Sequence, residues 1–430
     1  MKNLRQKYTF YTFFLGLVAL SACKKEYLNP NAPVAEDVMT SQRALTGVTT
    51  GLQKSISTSR AGLLYASVTL NGITTNELIS INTGNTSEER LMAGGVQVDG
   101  TNSVVLGVWT AANKVIFDAD NVINNATNLV DKNYAAGLIA HASIFKAMAL
   151  GNLSEYWEKI PAGIGQNIGF ITRVEGFNKA VATIENAQSV IAANPISATF
   201  LGNVPAGVDI ANTLNALKAR YALFAGNYAL ALSAANAVDL TKTSVFNYDA
   251  QNLNAIFEVA TSTNNVVQPK NTNLGQTGAF VPDAGDLRIP FYTTINTTVR
   301  IKGFAASTVA PFPLYLPGEM TLIKAEVYAR QATPDLISAL AELNKVVTKT
   351  PAQDPLGVGA GLLPLIGPYT QQQLLDLIYK HRCIELFMSG LKLEDMRRFS
   401  QPLTDRKRNF FPYPFPERDN NTNTPGDPTF

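Results

Sequence analysis

Charged side chains near the carboxyl end of the chain are the residues whose types and spacing could do chemistry. Arg382, Glu385, Asp395 and Arg398 lie close together in the sequence and could form a catalytic cluster. The alternative is structural, because a charged side chain is tolerated inside a protein when an opposite charge pairs with it. We interpret these four residues as a buried ion network that holds the last helix to a helical scaffold.

Other carboxylates and motifs do not indicate an enzyme. A glycosidase needs only two carboxylates about 5–10 Å apart, and Glu88 with Glu89, or Asp118 with Asp120, are candidates that also have ordinary explanations as solvated or helical residues. The chain has no G-x-S-x-G elbow, H-E-x-x-H motif, Walker loop or complete G-x-G-x-x-G motif. We therefore predict a protein that is not an enzyme and has no cofactor.

Most of the chain has apolar residues at three- and four-residue steps, which predicts amphipathic helices. The predicted helices cover residues 37–58, 105–130, 134–157, 176–193, 212–240, 317–330, 334–348 and 370–389. Residues 212–240 form two helices with a turn at Gly226-Asn227, and this frame partly matches a tetratricopeptide unit, although the usual Trp and closing Pro are missing. The predicted fold class is mainly α, with roughly four helix pairs in a tetratricopeptide-like scaffold.

Two long stretches interrupt the helical pattern. Residues 60–103 and 241–313 are rich in Asn, Thr and Gly and have no helical period, so we expect irregular loops, with short strands in the second stretch. Long loops on a rigid scaffold are where binding groups usually lie. We expect both stretches to fold against one side of the scaffold, within a single domain of residues 36–430.

The start of the chain has the features of a secretory signal peptide. Basic residues precede the uncharged, mostly apolar run Tyr8–Ala22, which is shorter than the about 20 residues of a membrane-spanning helix. The run ends in Leu-Ser-Ala-Cys at Cys23, which resembles the lipobox of bacterial lipoproteins. The resemblance implies that residues 1–22 are removed, that Cys23 carries the lipid anchor, and that residues 23–35 form a lipidated tether at a membrane.

Composition argues against several other classes of protein. The net charge is +2 and three positive charges lie in the signal peptide, so the chain has no basic field for nucleic acid. If lipid occupies Cys23, then Cys383 has no partner for an internal disulfide. With two histidines and one free cysteine, a Cys/His metal site is excluded, and we predict no metal site.

Three segments of the C-terminal third carry recognisable motifs: Arg382–Arg398, Phe411–Asn421 and Tyr315–Arg330. The first resembles the R-x-x-E-L…G…D-x-x-R block, the second the closing P-I-P…E…N segment, and the third the L-I-R-A-E-A helix of the SusD/RagB family, outer-membrane lipoproteins of Bacteroidetes. The segments occur in the family's order, and the likeness covers nearly all of the mature chain. Cys383 and Phe387 depart from the pattern, since more polar residues are common at those positions.

The resemblance implies a surface-exposed outer-membrane lipoprotein that binds nutrient oligosaccharide or polysaccharide and closes as a lid over a SusC-like TonB-dependent transporter. A glycan site needs aromatic faces against sugar C–H groups, and amide or guanidinium donors to hydroxyls. In the two irregular stretches the available residues are Tyr65, Asn76, Asn82, Arg90 and Asn102, then Phe280, Tyr292, Asn296, Arg300 and Phe304. Tyr65 is the only aromatic residue of the first stretch, which keeps a peptide ligand open. A helical adaptor lipoprotein without a transport role is the other alternative.

Overall fold

The computed structural model describes residues 41–261 and 266–429, which are mostly helical. The predicted signal peptide, Cys23 and the tether lie outside the described residues. The α-helices of the described chain are α1 (Gln42–Ser57), α2 (Leu63–Thr74), α3 (Thr86–Ala93), α4 (Ser103–Ala126), α5 (Lys132–Tyr156), α6 (Arg173–Ala193), α7 (Ala198–Asn203), α8 (Ile210–Phe224), α9 (Tyr228–Asn236), α10 (Arg288–Tyr292), α11 (Pro317–Arg330), α12 (Leu336–Thr348), α13 (Gln371–Glu385), α14 (Lys392–Arg398) and α15 (Phe415–Asn420).

Short strands lie between the helices and form two-stranded antiparallel ladders. Strand β1 pairs with β5, β2 with β3, β4 with β8, and β6 with β7. Their bounds are β1 (Leu78–Ser80), β2 (Lys159–Pro161), β3 (Phe170–Thr172), β4 (Val245–Phe246), β5 (Val267–Pro269), β6 (Thr293–Asn296), β7 (Thr298–Ile301) and β8 (Phe312–Pro313). None of these ladders is large enough to form a core of its own, so the helices provide the core.

Successive helices pack in pairs, which confirms the predicted tetratricopeptide-like scaffold. Helix α4 packs on α5, α5 on α6, α8 on α9, and α11 on α12, while α9 also contacts α11 and so joins two pairs. Close packing needs small residues at the contacts. A Cβ added at Gly151 of α5 would lie 2.2 Å from the ring of Tyr221 on α8, so only glycine lets this ring approach the α5 backbone.

Helix α5 is long and apolar enough to span a membrane, but its place in the fold identifies it as a core helix. Its most apolar window is 89% buried inside the protein. Asp131 caps its start by accepting a hydrogen bond from the backbone N–H of Tyr134 at 2.9 Å. Because the rest of the protein covers the apolar surface of α5, the hydropathy of this helix does not indicate that it spans a membrane.

The predicted ion network is confirmed. Arg382 donates to both carboxylate oxygens of Asp395 at 3.0 and 2.9 Å, and Arg398 donates to Glu326 of α11 at 3.1 and 2.8 Å. Glu385 accepts from an arginine of α10 at 3.1 Å. Burial by itself would raise the pKa of Glu326, but the surrounding guanidinium groups lower it to about 2. The charges therefore connect α13 and α14 to α11 and α10.

Part of the first irregular stretch is helical, so the expectation of loops throughout residues 60–103 is wrong. All twelve residues of α2 are buried, and α3 follows shortly after β1. A helix that is buried on every side needs no polar face, so it shows no amphipathic period in the sequence. The second stretch, 241–313, contains the predicted irregular loops and short strands, and also the short helix α10, which was not predicted.

Candidate ligand-binding site

The two loop-rich stretches meet in the folded protein. Strand β1 of the first stretch pairs with β5 of the second, with Ile79 opposite Gln268. The side-chain oxygen of Gln268 accepts a hydrogen bond from the backbone N–H of Ile301 at 2.8 Å, which ties β5 to β7. Next to this ladder, the N–H of Lys270 donates to the carbonyl of Glu77 at 3.0 Å. The backbone thus joins the segments in which we predicted ligand groups.

A cavity of about 170 Å³ opens where these segments meet α13 and α14. It is smaller than the roughly 300–1,000 Å³ of pockets that enclose a drug-sized ligand, so it suits one end of a longer molecule. We name it the amide cavity because three side-chain amides line it. The lining residues that matter here are Asn76, Lys270, Gln276, Phe280, Lys392 and Gln401.

Asn76 is held at the rim of the amide cavity by a tight backbone turn. It follows α2 with a left-handed φ of +61°, a conformation that Asn adopts more readily than most residues. Its Nδ2 donates to the carbonyl of Asp405 at 3.1 Å, and its Oδ1 accepts from Lys270 Nζ at 3.4 Å. Gly275 packs against this turn, where a Cβ would lie only 1.9 Å from the carbonyl oxygen of Asn76. Glycine therefore lets the second stretch close the rim.

The walls of the cavity combine aromatic rings with amides. The rings of Phe280 and Tyr379 meet edge to face with their centroids 4.9 Å apart. Burial raises the pKa of Tyr379 well above its ordinary value, so this residue is a neutral phenol. Gln276 and Gln401 add amide groups that can donate and accept hydrogen bonds. The combination suits a ligand that carries hydroxyl groups on an apolar ring.

Positive charges outnumber negative charges among the residues that line the amide cavity. Among the described residues that line it there are two lysines, Lys270 and Lys392, and one acid, Asp405. Lys270 is exposed, whereas Lys392 is only 5% exposed. The buried carboxyl of Glu77 also interacts with Lys392. Burial raises the pKa of Glu77 to about 7, although Lys392 opposes this. Glu77 is therefore partly protonated near neutral pH and offsets Lys392 incompletely.

Six of the predicted ligand residues have accessible surface. Asn76 is half-buried in the cavity wall. Asn82, Arg90 and Asn296 are exposed but do not line the cavity, and Arg300 is half-buried on β7. The role of these residues in ligand binding stays a prediction. Phe280, which the sequence also suggested, lines the cavity.

Four other predicted ligand residues are buried, and their assignment to a ligand surface is wrong. Tyr65 lies in α2 and is 1% exposed. Asn102 caps α4, accepting from the N–H groups of the first turn at 3.1 and 3.3 Å. Tyr292 is fully buried and donates to the carbonyl of Glu385 at 2.5 Å, while Phe304 packs against its ring. Each of these side chains is buried in the fold, so it presents no surface to a ligand.

Most of the cavity could not be found from the sequence. Lys270 and Gln276 lie in the second irregular stretch, so their polar character was the available signal. Tyr379, Lys392 and Gln401 belong to the helical C-terminal region, where polar residues are ordinarily surface residues. Only the packing of α14 on α2 and α13 brings them to the loops.

The side chains that could do metal or nucleophilic chemistry are not arranged for it. Within residues 41–261 and 266–429, no group of three or more His, Cys, Asp or Glu residues could hold a metal ion. Cys383 is free and buried, and burial raises its pKa to about 12. His141 is also buried, which lowers its pKa to about 4. A buried, protonated thiol is inert, so Cys383 is a core residue.

The chain is similar to solved proteins in its three-dimensional structure, but its sequence matches no family model and no curated protein. A SusD superfamily protein from Bacteroides fragilis is 17% identical with a TM-score of 0.66, covering 90% of this chain and 99% of its own. A SusD superfamily protein from Parabacteroides distasonis is 13% identical with a TM-score of 0.69, covering 93% of this chain and 100% of its own. A SusD-like carbohydrate binding protein from Bacteroides vulgatus is 15% identical with a TM-score of 0.64, covering 83% of each chain. The fold of this chain is therefore the SusD fold.

Proposed function

We propose that the protein is a lipid-anchored protein of the outer membrane that binds a nutrient oligosaccharide at the cell surface and delivers it to a SusC-like TonB-dependent transporter, for which it acts as the lid. The observation that carries the proposal is the amide cavity, set in a SusD fold at the meeting point of two loop-rich stretches. One of the structural neighbours is itself a SusD-like carbohydrate binding protein.

The chemistry of the cavity supports a sugar more than a purely apolar ligand. The amides of Asn76, Gln276 and Gln401 suit the alternating donors and acceptors of sugar hydroxyls. The ring of Phe280 supplies an apolar surface for sugar C–H groups. The protein binds its ligand without transforming it, because its proposed role ends with delivery to the transporter.

Isothermal titration with a panel of oligosaccharides tests the binding site. Each lost hydrogen bond is worth about 0.5–1.5 kcal/mol, so Asn76→Ala and Gln276→Ala should each weaken binding by roughly two- to tenfold. Asn128→Ala is the matched control, because this exposed residue does not line the cavity and was not predicted to bind a ligand. An Asn76→Ala variant that binds the sugar as tightly as the parent would place the site elsewhere.

A parallel titration with short peptides distinguishes a peptide ligand from an oligosaccharide ligand. Saturable binding of peptides, with no binding of any sugar, would replace the oligosaccharide by a peptide in the same architecture. No saturable binding of either class would favour the helical adaptor and reject a nutrient-binding role.

The anchor and the partner are tested in cells. Cys23→Ser removes the thiol that the lipid needs, so we expect the protein to leave the membrane fraction and appear in the soluble fraction. Purification of the wild-type protein from detergent-solubilised membranes should bring with it a large barrel protein. A Cys23→Ser protein that still sediments with membranes would refute the anchor, and a preparation without the barrel would refute the lid.

A further inference from the structure

Lys392 is a buried cation without a partner. It is the first residue of α14, is 5% exposed, and lines the amide cavity. Among the residues that the structure describes, none forms a hydrogen bond or an ion pair with its ammonium group. Lysine is almost never buried unless it is paired, because removing a charge from water is costly. An anion in the cavity would supply the missing partner.

The charged groups around Lys392 leave the cavity with a positive excess. The carboxylate of Asp395 is already engaged by Arg382 and Arg398, each at 2.9 Å. Glu77 is buried and acts on Lys392 without contacting it within ion-pair distance. Asp405, at the rim, is exposed. Lys270 adds a second positive charge at the rim, where its Nζ is 3.4 Å from the amide oxygen of Asn76.

A second cation beside the cavity is also incompletely paired. Arg406 follows the lining residue Asp405, and its Nε and Nη1 are buried without a hydrogen-bond partner among the described residues. Cationic groups without a protein partner, one lining this small polar cavity and one next to it in the chain, are what a negatively charged ligand would neutralise. Lys392 is the lining cation that has no partner among the described residues, so a single carboxylate is the matching charge.

We infer that the amide cavity binds a uronic-acid residue of an acidic oligosaccharide, with its carboxylate between Lys392 and Lys270 and its hydroxyls on the amides of Asn76, Gln276 and Gln401. This inference rests on the proposed function and names the class of sugar. An acidic saccharide is favoured over an acidic peptide because three amides surround the two lysines, and a sugar ring presents hydroxyls beside its carboxylate.

Matched pairs of acidic and neutral sugars test the charge. Trigalacturonic acid is compared with its methyl ester, and cellobiouronic acid with cellobiose, by isothermal titration at pH 7 and low salt. We expect at least one acid to bind about tenfold or more tightly than its neutral partner, since hydrogen bonds to charged groups are the stronger ones. Added salt should weaken binding of the acid and leave that of the neutral sugar nearly unchanged.

Substitutions assign the preference to named residues. Lys392→Met and Lys270→Met should each reduce the ratio of the affinity for the acid to the affinity for its neutral partner by severalfold. Lys132→Met, at an exposed position at the start of α5, is the control for net charge. Circular dichroism checks that each variant is folded. Should Lys392→Met fail to fold, Lys270→Met carries the test from its exposed position.

The outcomes separate this inference from the proposed function. Equal affinity for the acidic and neutral members of both pairs, or binding of neutral sugars alone, overturns the acidic ligand and leaves the sugar-binding function standing. A preference that survives both lysine substitutions overturns the assignment to this cavity. Absence of binding by all four sugars and by the wider oligosaccharide panel overturns both proposals.

Discussion

Glu155 near the end of α5 is a buried acid whose ionisation the fold opposes. Its side chain is 2% exposed, lines an internal cavity of about 60 Å³, and has one carboxylate oxygen without a hydrogen-bond partner among the described residues. The nearby guanidinium of Arg220 is already bound to Glu319 at 2.6 and 2.7 Å. Burial therefore raises the pKa of Glu155 to about 8, even though Arg220 lowers it.

The raised pKa makes stability depend on pH with a definite sign. Between its ordinary value of 4.5 and about 8, the native protein holds a proton on Glu155 that the unfolded chain releases. The free energy of unfolding therefore falls as pH rises, by about 1.4 kcal/mol per pH unit in this window. From pH 5 to pH 8 the loss attributable to this one group is roughly 3–4 kcal/mol.

The substitution Glu155→Gln keeps the shape of the side chain and removes its ionisation. The parent should lose roughly 3–4 kcal/mol of unfolding free energy from pH 5 to pH 8, and the variant should not. The stability difference between variant and parent should therefore grow by that amount over this pH range. Urea unfolding at both pH values, followed by circular dichroism, measures this difference. Glu158→Gln is the control, because Glu158 lies just beyond the helix and is exposed. A difference between variant and parent that is the same at both pH values would refute the reasoning.

Three further substitutions test the fold by urea unfolding. Arg220→Met leaves Glu319 buried without its partner and should cost about 3–5 kcal/mol; a loss below about 1 would contradict the pairing. Gly275→Ala forces a Cβ against Asn76 at a φ of +74° and should destabilise the cavity rim, so that the sugar titration weakens as well. Asn102→Ala removes the cap of α4 and should cost about 1 kcal/mol without changing sugar affinity.

The arrangement of the molecule separates support from binding. Buried ion pairs join α10, α11, α13 and α14, and breaking a buried pair is costly because it leaves a charge unpaired. The amide cavity lies beside this rigid network, at the junction of α13 and α14 with the loops. The lining residues Tyr379, Lys392 and Met396 therefore lie on helices that buried ion pairs connect.

Local pattern was enough to locate most helices. The predicted helix over residues 317–330 has the observed bounds, and α5 begins and ends within two residues of its prediction. An amphipathic helix shows its period because one side meets water and the other meets protein. Helix α2 was missed for the opposite reason: with all its residues buried it has no polar side, and its Thr, Ser and Asn residues looked like a loop.

The predicted ligand residues also include some that the sequence placed well and some that it could not place. Amino-acid type selected Asn76 and Phe280, which line the amide cavity, but it also selected Tyr292 and Asn102, which are buried and bonded to the backbone. Whether a side chain is free for a ligand depends on its neighbours in space, which sequence spacing does not describe.

The sequence alone was enough to predict a mainly α architecture of paired helices, two loop-rich segments, and the charged residues of a buried ion network. Tertiary structure decided that β1 and β5 pair, that α14 packs on α2 and α13, and that Lys392 lines one cavity with amides from distant segments. The physical reason is that secondary structure follows from local periodicity, whereas a binding cavity depends on contacts between residues hundreds of positions apart.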